Sequence, residues 1–215
     1  MAHEGFHLFV QRDKLKSWPK WPTAQGQFSG SSIRKELVRK CYNGSSQVVS
    51  LANQEFAFLL GAYRNVVDGN LNHARQNVSD FVKARILRYD LLKNEKVILN
   101  GNSSMSCPEI ESSFEFNEGI PDYVFYATSL NSKAVDFGSL ESFLQENYLP
   151  SKGSESYYAF GGLQLLLLSV LLPNFPELQQ RLLNSTSAAE GLFPQLQRAS
   201  PVFHVPMVNR ECVRQ

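Results

Sequence analysis

The closest grouping of residues able to do chemistry is His3-Glu4-Gly5-Phe6-His7, which satisfies H-E-x-x-H. On a helix this spacing aims two imidazoles at one zinc ion and lets the glutamate activate the bound water. Here the pattern starts at the third residue, contains a glycine and continues into Leu8-Phe9-Val10. Gly5 to Gln11 reads as a short strand, on which positions four apart share a face but lie about 13 Å from each other, too far for one zinc. His73 and His204 are the remaining histidines, and neither brings a partner motif. The sequence therefore predicts no metal site and no cofactor.

Glu109, Glu111, Glu115, Glu118 and Asp122 form an acidic group of the kind a divalent-metal phosphotransfer site requires. Glu115 alternates with Phe114 and Phe116, so the expected reading is the solvated face of a strand. Neither G-x-S-x-G, nor a phosphate-binding G-x-x-x-x-G-K, nor G-x-G-x-x-G occurs. Asn100 to Ser104 reads as a hairpin loop rather than an anion cradle. Cys212-Val213-Arg214-Gln215 has the outline of a prenylation box, but a charge stands where that motif takes an aliphatic residue. The chain is expected not to be an enzyme.

The strongest binding signal is basic and aromatic. Lys14, Lys16 and Lys20 are interleaved with Trp18 and Trp21, a combination that neutralises phosphates and stacks bases on indole faces. Arg34, Lys35, Arg39 and Lys40 extend this set along a first helix, and Arg85 and Arg88, with Arg75 and Lys83, offer a second rail. The expected partner is RNA or single-stranded nucleic acid. A Trp-Pro-x-Trp-Pro loop also suits docking of a protein, so an adaptor subunit of a larger complex is the alternative.

The formal net charge is only +1, but it conceals an asymmetry. Residues 1–93 hold fourteen Lys/Arg against seven Asp/Glu, and residues 94–215 hold seven against thirteen. Opposed halves can attract each other within one fold, or the basic half can face an anionic partner. Cys41, Cys107 and Cys212 are few, odd in number and far apart. They predict neither a disulfide framework nor a zinc site, and with no secretory leader pattern they point to the cytoplasm or nucleus. On that reading the sequons at Asn43, Asn77, Asn102 and Asn184 carry little meaning.

The elements that must position these residues follow from periodicity. A composition of 43% hydrophobic and 19% charged residues describes an ordinary globular chain. Helices are predicted from Ser31 or Ser32 to Cys41, Ser46 to Val67, Asn72 to Tyr89, Leu140 to Tyr148, Glu155 to Leu172, Pro176 to Leu183 and Ala188 to Arg198. Strands are predicted at Lys96 to Asn100, Ser113 to Asn117 and Tyr123 to Ser129. The apolar run Tyr157 to Leu172 is too short and too interrupted to span a membrane, and reads as a buried core helix or a seam for self-association. The expectation is a helix-rich α+β fold: a helical, basic region over 1–93, then an acidic region over 94–215 with a small antiparallel sheet followed by helices. The two regions are separate or form one continuous domain.

Overall fold

The computed structural model describes residues 35–98, 104–131, 136–153, 155–178 and 191–199. The HExxH pattern, the Lys14 to Gly30 loop and the C-terminal Cys212 lie outside them.

Among the described residues, the helical residues 35–37 run into a π-helical turn, Val38–Tyr42. It leads into α1 (Ser46–Val67), whose first turn is closed by the Ser45 hydroxyl accepting from the Val48 amide at 3.3 Å. Gly69, with φ +76°, supplies the left-handed residue that turns the chain into α2 (Leu71–Leu91). Strands β1 (Lys96–Ile98) and β2 (Ser104–Ser106) pair antiparallel with Val97 opposite Met105. Then come α3 (Cys107–Asn131), α4 (Phe137–Tyr148), a 3-10 turn (Pro150–Lys152), α5 (Tyr157–Leu171) and α6 (Leu192–Ala199). The result is the expected helix-rich α+β fold, with a small antiparallel sheet between helical regions.

Helices α1 and α2 pack along one another, as do α3 and α5, and α1 meets α5 to join the two pairs. Helix α6 closes against α5, α2 and α3. One hydrophobic cluster runs from Leu37 through Phe56, Phe81, Phe114 and Phe160 to Leu196, so the core is continuous across residue 93. Helix α5 is buried from Ala159 to Leu168. Leu163 and Leu165 to Leu168 are enclosed by their own chain and do not form an exposed seam. Among the described residues, no helix is long and apolar enough to cross a membrane.

Two predicted strands, Ser113–Asn117 and Tyr123–Ser129, are instead turns of α3. Tertiary packing overrides the β-like alternation. The helix starts where Ser106-Cys107-Pro108-Glu109 forms half of a capping box: the Glu109 carboxylate accepts from the Ser106 amide at 3.0 Å and from its hydroxyl at 2.7 Å. The helix continues through Gly119 because that residue is where α3 meets α5. A Cβ there would lie 2.4 Å from the backbone of Gly161.

The cysteine expectation is also corrected. Cys41 and Cys107 are fully buried and joined by a disulfide with a Cα–Cα distance of 5.5 Å. It ties the π-helical turn to the first residue of α3.

Candidate functional site

Charged residues belong at the surface unless each finds a partner. Among the described residues five have no exposed surface at all. Arg85 and Arg88 of α2, Glu55 of α1, and Glu111 and Glu115 of α3 are all wholly buried. Helical geometry brings them together: Arg85 lies four residues after Phe81 and three after Val82, on the apolar stripe of α2, while Glu55 lies between Ala52 and Leu59 on that of α1.

Arg88 is held by the most bonds. Its Nε donates to Glu55 Oε1 at 2.6 Å and its Nη2 to Glu55 Oε2 at 3.0 Å. Nη1 and Nη2 reach the two oxygens of Glu111 at 2.7 and 2.8 Å, and Nη1 also donates to the Cys41 carbonyl at 2.7 Å. Arg85 donates from Nε to Glu55 Oε2 and from Nη1 to Glu115 Oε2, both at 2.8 Å. The Tyr89 hydroxyl donates to Glu111 at 3.3 Å, and Gln164 Nε2 of α5 donates to Glu115 at 2.8 Å. Aromatic rings enclose the cations. The Arg85 guanidinium carbon lies 4.7, 4.8 and 5.4 Å from the ring centres of Phe81, Phe160 and Phe193, and that of Arg88 lies 5.0 Å from Tyr42.

The electrostatics follow from burial. Enclosure pulls the Arg88 guanidinium toward its neutral form, but Glu111 and Glu55 outweigh it and lift its pKa well above the ordinary value. For Arg85 burial acts the same way, and Glu115 and Glu55 reverse it. Glu111 goes the other way: burial raises its carboxyl above the ordinary range, with Arg88 only partly offsetting this. The Tyr42 and Tyr89 phenols are pushed well up, chiefly by burial and then by the adjacent Glu111. Two arginines face three glutamates, so the cluster holds one more acidic group than basic.

Two expectations about site residues are thereby corrected. Arg85 and Arg88 are not a second phosphate-binding rail, because each is enclosed and bonded to carboxylates. The acidic group is not a solvated face, since Glu111, Glu115, Glu118 and Asp122 are buried and only Glu109 is exposed. Among the described residues, no three His, Cys, Asp or Glu side chains are grouped to hold a metal ion.

Lys35 and Arg39 are exposed and Lys40 is half-buried. Arg39 forms a two-pronged pair with Glu36, at 2.9 and 2.8 Å, which lowers the Glu36 pKa and raises that of Arg39. Lys40 lies 3.4 Å from Glu36 and donates to the Lys96 carbonyl at 2.7 Å, pinning the π-helical turn to β1. Lys14, Lys16, Trp18, Lys20, Trp21 and Arg34 lie outside the described residues.

A surface groove of about 460 Å³ runs between α1 and α4. Phe56, Leu60 and Leu149 give it an apolar floor, and Asn53, Glu146 and Lys152 are among its polar lining. Comparison with protein-family models, with curated proteins and with solved structures finds no match for the chain.

Proposed function

We propose that the protein is a non-catalytic binding protein whose basic N-terminal segment, Lys14 to Lys40, engages an anionic partner, RNA or single-stranded nucleic acid being the favoured class. One observation carries this reading: three arginines of the helical scaffold are already paired with its own carboxylates. Arg85 and Arg88 neutralise buried glutamates, and Arg64 pairs with Glu141 across the two halves. The surplus is left in residues 1–40, with eight Lys/Arg against three Asp/Glu and both tryptophans of the chain. That composition suits phosphate neutralisation with base stacking. The test is fluorescence anisotropy against labelled single-stranded RNA. Trp18→Ala and Trp21→Ala are each expected to weaken binding by about 1–3 kcal/mol per stacked base, and unchanged affinity would remove the stacking role.

A second reading, docking onto an acidic protein as an adaptor, is favoured by the Cys41–Cys107 bond. Disulfides persist in oxidising compartments, whereas RNA is met mostly in the cytoplasm and nucleus, where thiols are kept reduced. Thiol titration of protein isolated from its native source separates the two. Free thiols at Cys41 and Cys107 support a cytoplasmic or nuclear nucleic-acid binder, and a retained bond supports the docking role.

A further inference from the structure

The disulfide sits where the proposed binding segment meets the helical scaffold. Cys41 belongs to the π-helical turn Val38–Tyr42, which also carries Arg39 and Lys40, and Cys107 is the first residue of α3. Non-covalent contacts hold the same turn: Lys40 Nζ donates to the Lys96 carbonyl at 2.7 Å, the Cys41 carbonyl accepts from Arg88 Nη1 at 2.7 Å, and the Tyr42 ring stacks on Phe160. Lys40 lies 3.4 Å from Glu36 as well, so its charge is engaged within the molecule while the turn is in place. Short π-helical stretches inside longer helices recur at functional positions. Here one falls between the basic segment and the core.

We infer that Cys41 and Cys107 form a redox latch on this turn: reduction lets it open and frees Lys40 from Lys96 for an anionic partner, and oxidation pins it back. The effect on binding rests on the assignment of anion binding to Lys14–Lys40. Opening is an exchange with a low-molecular-weight thiol. Its thiolate attacks Cys41 Sγ, the sulfur–sulfur bond breaks, and the electron pair leaves on Cys107, the better leaving group because the start of a helix stabilises a thiolate. A second thiolate attacks the mixed disulfide and Cys41 leaves. In sum, two small thiols become one disulfide, and the two cysteines gain their two electrons and two protons. Closure is the reverse, with a low-molecular-weight disulfide as oxidant. Both cysteines are fully buried, so attack is gated by local opening of the turn.

Two measurements on the full chain, oxidised and then reduced with dithiothreitol, test this. Amide hydrogen exchange over residues 38–42 is expected to quicken at least about tenfold on reduction, while Ala52 to Leu60 of α1 stay protected. A Cys41→Ser, Cys107→Ser variant should match the reduced form and ignore the reductant. Equal exchange in both forms, or protection lost throughout α1, overturns the latch. In anisotropy on labelled single-stranded RNA the reduced form is expected to bind more tightly, with a slope of log K against log salt steeper by about 0.7 for one added phosphate contact. Lys40→Ala should bind alike in both forms. Identical slopes in the two forms of a wild type that binds overturn the release of Lys40. If neither form binds RNA at low salt, the function proposed above fails and the exchange measurement alone decides the latch.

Discussion

Replacing Arg88 by methionine keeps most of its volume but leaves Glu111 buried without its counter-charge and Glu55 with that of Arg85 alone. Removing one partner of a buried pair costs about 3–5 kcal/mol. For a chain of this length, that is a fall in Tm of roughly 10 °C, measurable by thermal or urea unfolding. Arg39→Ala removes an exposed pair and is expected to leave the midpoint unchanged. Glu111 gives a pH signature with a definite sign. Its folded pKa lies above the unfolded value of about 4.5, so the folded state binds this proton more tightly. Its contribution is fully present below pH 4.5 and is lost as pH rises through the folded value. The stability advantage of wild type over Glu111→Gln should therefore shrink from pH 4.5 upward in urea titrations, and growth of that advantage would contradict the assignment. These residues were partly legible. Arg85 and Glu55 interrupt apolar stripes at helical spacing, which is the mark of a buried charge. The stripes alone could not show that they face each other.

Among the elements, α1 was readable to the residue because its apolar stripe and the Asp68-Gly69-Asn70 turn agree, and the structure adds the Ser45 cap at its start. Helix α3 was not, because Ser-Phe-Glu-Phe-Asn alternates like a strand, and its capping box and close approach to α5 become decisive only once the packing is known. That approach is a strict constraint. A Cβ on Gly161 would lie within a backbone contact of the Glu115 carbonyl, whereas one on Gly138 would meet only the Asp136 side chain at 3.2 Å. Gly161→Ala is expected to lower stability by about 1–3 kcal/mol or more, as overpacked cores do. Gly138→Ala should leave the urea midpoint close to wild type. The disulfide closes a separation of 66 residues, which in the chain-entropy model stabilises by about 4 kcal/mol. Reduction, or paired Cys41→Ser and Cys107→Ser substitution, is expected to shift the denaturation midpoint down by a corresponding amount, and an unchanged midpoint would show that the bond does not form.

At the scale of the whole molecule, the contrast between a basic and an acidic half was visible in composition, but its destination was not. Part of it is internal attraction: Arg85, Arg88 and Arg64 of the first half bind Glu115, Glu111 and Glu141 of the second. The part left over is concentrated before Cys41, which is where the account places binding. Steering by that segment is an electrostatic effect and must weaken with salt.

The most direct test is anisotropy of the full chain on labelled single-stranded RNA at several salt concentrations, beside a Lys14→Ala, Lys16→Ala, Lys20→Ala triple variant. Contacts from six or seven cations of residues 14–40 predict a slope of log K against log salt of roughly −4 to −5, reduced in magnitude by about 2 in the triple variant. No binding at low salt, or an identical slope in both proteins, would contradict the assignment of anion binding to this segment.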